Sequence, residues 1–180
     1  MTDDMGPLVE LVITAPEPYG AVLAHYTRCR MTLGVLVQMV AQAQRHIIIA
    51  SPFLQPGQGL SGGVLADTLH NALRRGVDVD IVSTGQSLQV LNVVQMRQDA
   101  RGIIRLFQPQ ANIAHPQRLG SHAKFCVADG EQGYVGSANF TGPGLSEHFE
   151  MGLLVRGDVA RQIEDFWMYS IQIGLFVPIQ

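Results

Sequence analysis

The side chains best suited to chemistry lie between His122 and Asn139. His122 and Lys124 are two residues apart, Asp129 follows, and Ser137 and Asn139 close the segment. Lys124 is the only lysine among the 180 residues. An imidazole can attack phosphorus to form a covalent phosphoramidate, an ammonium binds phosphate oxygens, and hydroxyl and amide groups hydrogen-bond the charge of the transition state. These residue types favour phosphodiester chemistry that needs no metal ion.

Two short strands are predicted to position these groups. The apolar stretch 122–128 predicts a strand on which His122 and Lys124 share one face, because side chains two residues apart on a strand point the same way. On the opposite face we expect three residues in the core, namely Ala123, Phe125 and Val127. A turn signal follows, and 133–137 predicts the hairpin partner. The two strands could therefore aim imidazole, ammonium, hydroxyl and amide at one point.

The whole pattern resembles the phospholipase D superfamily signature HxKx4Dx6GSxN, with every fixed position filled. The resemblance implies a histidine nucleophile at His122, phosphate ligands at Lys124 and Asn139, and a supporting hydroxyl at Ser137. A single histidine on a strand is usually structural, and Gly-Ser-Ala-Asn alone is usually a turn. Six fixed residues at the right spacing are far more specific than either feature.

Three further residues complete or modify the resemblance. Glu150 follows the GSxN block by about ten positions, and the resemblance implies that it orients and polarises a catalytic imidazole. Asp129 is implied to support the site rather than to touch the substrate. The sequence departs from many relatives at His148, where they have asparagine.

The charge distribution gives a mixed signal for nucleic acid. The net charge is −3, from 12 basic and 15 acidic residues, which counts against a nuclease. A basic segment nevertheless leads into the motif and contains Arg97, Arg101, Arg105 and Arg118. We include Arg118 among the candidate substrate-binding residues. For Arg97 and Arg101 a solvated helix face is an equally good interpretation.

Several sequence features bear on cofactors and location. Cys29 and Cys126 suggest no disulfide framework, the first thirty residues lack a secretion signal, and no apolar run has transmembrane length. We therefore expect a cytoplasmic protein without a membrane partner. No CxxC pair or HExxH helix argues for a metal, so no cofactor is expected.

Alternating strand and helix patterns predict an α/β fold, and the resemblance implies a phospholipase-D-like α/β sandwich with a mixed, largely parallel sheet flanked by helices. The chain is expected to form one domain over 1–180, with 1–30 as an N-terminal extension packed on it. Strands are predicted at 8–15, 45–50, 77–83, 103–107 and 151–155, and helices at 32–44, 64–75, 88–101 and 159–169.

Three functions are compatible with these features: a nuclease acting through a phosphohistidine, a phospholipase or phosphatidyl transferase, and a nucleic-acid-binding module without turnover. The chain has one HxK motif, whereas single-chain lipases of the superfamily resemble duplicated proteins with two, so we rank the nuclease first. A single motif also predicts a homodimer with a composite site, with an interface at 112–120 and 141–147. The segment 10–16 resembles the phospholipase-D-like component of DISARM-type anti-phage systems, which suggests defence-system partners.

Overall fold

Nine strands form one continuous sheet in the computed structural model of the chain, which describes residues 8–111 and 120–179. The strand order across the sheet is β2-β1-β8-β7-β6-β3-β4-β5-β9. The strands are β1 (Val9–Thr14), β2 (Arg30–Met31), β3 (His46–Ala50), β4 (Asp78–Val82), β5 (Ile104–Pro109), β6 (Phe125–Ala128), β7 (Gln132–Gly136), β8 (Glu150–Arg156) and β9 (Phe176–Pro178).

The sheet is mixed, as the sequence predicts, but its parallel part is smaller than expected. Only the β1–β2, β3–β4 and β4–β5 pairs are parallel, and the other five neighbouring pairs are antiparallel. The expectation of a largely parallel sheet is therefore wrong. One reason is that β6 and β7 are joined by the short turn 129–131, which can join only antiparallel neighbours.

Seven helices flank the sheet in the described part of the chain: α1 (Tyr19–Thr27), α2 (Thr32–Gln42), α3 (Val64–Arg75), α4 (Gly85–Leu88), α5 (Val93–Arg97), α6 (Gly142–Ser146) and α7 (Asp158–Gln172). The apolar stripe of α3 is fully buried, as its periodicity predicts. Gly76 ends this helix in the left-handed region, at φ 102°, and its N–H donates to the carbonyl of Leu73 at 3.1 Å. In the described residues no helix is both long and apolar enough to cross a membrane.

Two apolar layers hold the helices to the sheet. In β3, Ile47 and Ile49 pack into the layer beneath α2 and α3, whereas Ile48 and Ala50 face the layer that contains Trp167 of α7. The same alternation in β6 puts Cys126 in the first layer and its neighbours in the second. Both faces of these central strands are therefore dry, which explains why their sequences are almost continuously apolar.

The N-terminal residues are part of the sheet. β1 pairs with β8 over six positions, from Val9 with Val155 to Thr14 with Glu150, so the segment expected to pack on the domain as an extension supplies an inner strand.

The helix predicted at 88–101 differs from the structure. It is replaced by α4 and α5, because Asn92 caps a new helix by accepting a hydrogen bond from the Gln95 N–H at 3.1 Å.

Candidate active site

The motif lies at one edge of the sheet. Phe125, the first residue of β6, pairs with Ala50, the last residue of β3, so the segment that carries His122 and Lys124 extends beyond that edge. The Gly136 N–H at the end of β7 donates to the Lys124 carbonyl at 3.2 Å. Because β8 begins at the same edge with Glu150, four chain segments converge there.

His122 and Lys124 are in contact. The ammonium nitrogen Nζ of Lys124 lies 3.1 Å from Nδ1 and 3.4 Å from Nε2 of His122, and 3.2 Å from the His122 carbonyl oxygen. The imidazole is exposed, whereas Lys124 keeps only 8% of its surface accessible. A ring nitrogen with a free lone pair is the atom that can act as a nucleophile towards phosphorus, and the exposed imidazole can reach a substrate.

Burial changes the electrostatics of the lysine. It lowers the pKa of Lys124 below the usual value of 10.5, and the negative charge of Glu150 opposes that shift. A partly desolvated cation is strongly attracted to an incoming phosphate, because few water molecules have to be displaced first. The prediction that His122 and Lys124 share a face holds, although β6 starts at Phe125 and Ala123 is exposed rather than in the core.

Ser137 and Glu150 form the second half of the site. The Ser137 hydroxyl donates a short hydrogen bond to the Glu150 carboxylate and accepts one from the Met151 N–H at 3.1 Å. Glu150 also lies 3.8 Å from Nδ1 of His148, whose side chain is 64% exposed. Ser137 thus fixes the carboxylate. The sequence did not predict this pairing, or that His148 would lie beside Glu150.

The buried side chain of Tyr134 packs against the backbone next to Ser137. Tyr134 is fully buried, and burial raises its pKa to about 12, so the hydroxyl remains protonated. Its ring covers the backbone of two glycines that pair across β7 and β8, Gly136 and Gly152. A Cβ at Gly136 would lie 2.3 Å from the Tyr134 oxygen, which explains why the residue before Ser137 is glycine.

Asn139 is held by the short helix α6. Thr141 caps this helix by accepting a hydrogen bond from the Gly144 N–H at 3.3 Å. The backbone of Asn139 lies directly on Gly144, where a Cβ would come within 2.3 Å of the Asn139 carbonyl oxygen. The side-chain oxygen of Asn139 is buried without a hydrogen-bond partner among the described residues. The amide is therefore positioned by packing, with hydrogen-bonding capacity left over.

Sequence reasoning missed one aromatic neighbour of the site. The ring of Phe53 meets the His122 imidazole edge to face, with ring centroids 6.2 Å apart. Ser51 connects this loop to the motif, because its hydroxyl donates to the Phe53 carbonyl at 2.8 Å and accepts from the Phe140 N–H at 3.1 Å. The Ser-Pro-Phe string after β3 was the signal that could have indicated this contact.

Asp129 is not part of this cluster. It lies at the other end of β6, where its carboxylate accepts hydrogen bonds from the backbone N–H groups of Gln44, Arg45 and His46 at 2.8 to 2.9 Å. These contacts join the end of β6 to the segment that leads from α2 into β3. The structure thus assigns Asp129 a place in the scaffold, at the edge of the sheet opposite His122.

Two arginines of the basic segment, Arg101 and Arg105, lie at the end of the sheet away from the site. Arg105, at the start of β5, donates to the buried Asp80 carboxylate at 2.5 Å and lies 3.8 Å from Asp78. Burial raises the pKa of Asp80, but hydrogen bonds from His46, Arg105 and Trp167 outweigh it, so the pKa is lower than usual. Arg101 is exposed at the same edge, which agrees with the solvated-face interpretation.

Two further predictions concern Arg118 and metal binding. Arg118 lies outside the described residues, as does most of the predicted interface segment 112–120. Within residues 8–111 and 120–179, no group of three or more His, Cys, Asp or Glu side chains is arranged to hold a metal ion.

The fold and this cluster define a phospholipase-D-like domain. The chain belongs to that family, since the family model described as "Cardiolipin synthase, PLD-like domain" matches residues 36–168. No curated protein matches the chain at a significant level of sequence similarity.

Solved structures share the fold at low sequence identity. NucT from Helicobacter pylori superposes with a TM-score of 0.65 at 14% identity, covering 95% of this chain and 99% of NucT. Nuc from Salmonella typhimurium, a phospholipase D family member, gives 0.61 at 17% identity and covers 96% and 97% of the two chains. TrmBL2, an archaeal chromatin protein, gives 0.53 at 13% identity over 95% of this chain and 55% of TrmBL2.

Proposed function

We propose that the chain is a phosphodiesterase that cleaves nucleic acid through a phosphohistidine at His122. The observation that carries the proposal is the contact of the His122 imidazole with the Lys124 ammonium, at 3.1 Å, in an exposed position beside Ser137 and Glu150. Membership of the phospholipase-D-like family supports phosphodiester chemistry. The structural neighbour TrmBL2 is described as binding DNA, which favours nucleic acid as the substrate class.

The proposed reaction has two displacements. A ring nitrogen of His122 attacks phosphorus, the N–P bond forms, and the P–O bond to the leaving group breaks as that oxygen takes a proton from a second imidazole, the His122 of another copy. Water then attacks phosphorus and gives a proton back to that second imidazole, the N–P bond breaks, and the attacking imidazole is regenerated. Lys124 transfers its hydrogen bonds from the imidazole to a phosphate oxygen, and Asn139 stabilises the charge on the equatorial oxygens. No step requires a metal ion.

The direct test uses His122→Ala and Lys124→Arg with labelled single- and double-stranded oligonucleotides in the presence of a chelator. We expect wild-type turnover in chelator, none with His122→Ala, and a large loss with Lys124→Arg, because a guanidinium cannot replace a compact ammonium in that pocket. Brief reaction followed by denaturation at alkaline pH should leave the retained oligonucleotide strand bonded through phosphorus to His122, and acid should release it. Turnover that requires added magnesium or zinc would refute the mechanism.

The lipid alternative has one observation in its favour, the description of the matching family model as a cardiolipin synthase domain. The same assay therefore includes phosphatidylcholine and phosphatidylglycerol vesicles. Release of headgroup or transfer of the phosphatidyl group, without cleavage of any oligonucleotide, would make the lipid reaction the function. Tight nucleic-acid binding without turnover would identify the third candidate, a binding module.

We also infer a homodimer with a composite site. Displacement at phosphorus needs a nucleophile on one side and a proton donor on the side of the leaving oxygen. The single HxK motif provides only one imidazole, so the imidazole that donates the proton would be His122 of another copy. An apolar sheet face supports this inference. Leu11, Val135 and Leu153 are cross-strand neighbours, each is 39 to 44% exposed, and Met151 continues the face at 50% exposure.

This face reaches the site, because Met151 is bonded to Ser137 through its N–H and its carbonyl. A two-fold interface across it would bring the same edge of both copies together. We therefore add β1, β7 and β8 to the proposed interface, next to the predicted segment 141–147, in which 146 and 147 are exposed. We expect Leu153→Asp to produce inactive monomers in sedimentation, whereas Val94→Asp, at an exposed site of α5, should not.

Subunit mixing tests the shared site itself. Activity of wild type mixed with His122→Ala should fall faster than the wild-type fraction, because mixed dimers lack one imidazole. Activity proportional to that fraction after subunit exchange, or full activity of a monomer, would exclude the composite site. The resemblance of the 10–16 segment also predicts that the chain binds anti-phage defence proteins. Co-purification of such proteins with the tagged chain would test this prediction.

A further inference from the structure

Phe53 is an exposed aromatic side chain beside the proposed nucleophile. It keeps 42% of its surface accessible, and its ring stands nearly perpendicular to the His122 imidazole, at 79°, with centroids 6.2 Å apart. Its position places a flat apolar surface within one nucleotide's reach of a phosphate attacked by His122. Neither the composition nor the motif spacing indicates such a surface.

The surrounding segment holds this ring outward. Ser51 and Pro52 before it and Leu54 after it are all buried, so Phe53 is the one exposed residue of the four. The Ser51 hydroxyl donates to the Phe53 carbonyl at 2.8 Å. The Pro52 carbonyl accepts hydrogen bonds from Thr84 and Ser87, each at 3.2 Å. These bonds and the buried neighbours fix the backbone on both sides of Phe53, so the fold places this side chain on the surface beside His122.

The same segment is linked to the phosphate-binding half of the site. Ser51 accepts a hydrogen bond from the Phe140 N–H at 3.1 Å, and Phe140 directly follows Asn139. Phe53 therefore has a fixed position relative to both His122 and Asn139. A rigid aromatic surface in a fixed position suits stacking of a planar ligand, since little conformational entropy is lost on binding.

We propose that Phe53 is a stacking platform for the nucleobase next to the scissile phosphate, and that the preferred substrate is therefore single-stranded nucleic acid. The proposal rests on the nuclease function proposed above. Every base has a π-face, so stacking tolerates any sequence and holds the strand in place. A base in a duplex has to leave its stack before it can reach such a platform, whereas a single-stranded base is already available.

The test combines two changes, one in the protein and one in the substrate. Single-stranded oligonucleotides with one cleavable phosphodiester carry either a base or an abasic sugar beside that bond. The protein variants are Phe53→Leu, Phe53→Tyr and, as a matched control, Phe166→Leu, which changes a 57% exposed phenylalanine on α7.

Phe53→Leu should lower kcat/KM for the base-bearing substrate about tenfold, equivalent to about 1.4 kcal/mol, which lies within the range measured for base–aromatic stacking. It should leave the abasic substrate unchanged, and Phe53→Tyr and Phe166→Leu should behave like wild type. An equal loss on both substrates would show that Phe53 only supports His122. No loss on either would show that it contacts nothing in the complex, and each of these results overturns the proposal.

A binding measurement separates this proposal from the nuclease function. In His122→Ala protein, an oligonucleotide with 2-aminopurine at the flanking position should lose fluorescence on binding, because stacking quenches that base, and adding Phe53→Leu should restore the signal. Quenching without cleavage of any oligonucleotide by wild type would refute the nuclease function but retain the platform. Cleavage by wild type without Phe53-dependent quenching would retain the nuclease function and refute the platform.

Discussion

Replacing Asp129 should destabilise the fold without affecting the chemistry. The residue belongs to the motif, yet its carboxylate accepts hydrogen bonds from the Gln44, Arg45 and His46 N–H groups at 2.8 to 2.9 Å. Its backbone lies in the left-handed region, at φ 57°, where aspartate, asparagine and glycine are tolerated better than other residues. Asp129→Ala removes both features, whereas Asp129→Asn keeps one acceptor oxygen and the backbone preference.

The contacts set the expected size of the effect. A hydrogen bond to a charged group contributes about 1.5–3 kcal/mol, but water can replace the carboxylate at the exposed Gln44 and Arg45, so the partly buried bond to His46 dominates. Alanine in the left-handed region adds about 1 kcal/mol. We expect Asp129→Ala to cost about 3 kcal/mol, or roughly 10 °C in Tm, and Asp129→Asn to cost about 1 kcal/mol.

Urea denaturation measures the stability, and cleavage rates are compared at a temperature at which every variant is folded. Asp129→Gly is the control for backbone strain, since it removes the acceptors but not the conformational preference, and it should fall between the asparagine and alanine variants. All folded variants should keep the wild-type kcat. An Asp129→Asn protein with wild-type stability and no activity would show that the carboxylate acts in the reaction and would refute this reasoning.

Three other predictions concern burial around the site. Burial lowers the pKa of Lys124, so the unfolded chain binds that proton more tightly, and this residue adds stability as the pH rises from the lowered value to 10.5. The raised pKa values of Cys126 and Tyr134 act in the opposite direction, so the test compares two proteins: between pH 7 and 10.5 the urea midpoint of Lys124→Met should fall more steeply with pH than that of wild type, and equal pH dependence would contradict the prediction. Gly136→Ala should cost about 1–3 kcal/mol, because its Cβ would lie 2.3 Å from the Tyr134 oxygen. Gly34→Ala is the control, because its Cβ would have nothing within 4 Å, and it should be neutral or stabilising; urea denaturation of both variants measures the difference, and equal stability of the two would contradict the prediction. Burial raises the pKa of Cys126 to about 12, so iodoacetamide should label this thiol only after unfolding, and rapid native labelling shown by mass spectrometry would oppose that expectation.

Most of the regular structure follows from local patterns. The strands β1, β3 and β4 and the helices α2 and α3 lie within a few residues of the predicted ranges, because periodic apolar residues and the glycine at the end of α3 are local signals. The predicted helix 88–101 is interrupted because a side-chain cap at Asn92 favours a new start. The two-residue β2 and three-residue β9 are too short to show a periodic pattern, and they form only because a neighbouring strand offers free backbone groups.

The sequence by itself determined the family and the side chains of the candidate site, since the spacing of these residues follows the family signature. The two-residue spacing also brings His122 and Lys124 together on one side. Tertiary structure decided which members of that pattern meet. Asp129 is seven residues from His122 along an extended segment, so the strand itself carries it to the opposite edge, where it binds the start of β3. Phe53 is far from His122 in the chain and reaches it only because β3 and β6 pair in antiparallel register, with Ala50 opposite Phe125. Distant contacts of this kind depend on strand order, and a single sequence contains no local signal for the order of strands in a sheet.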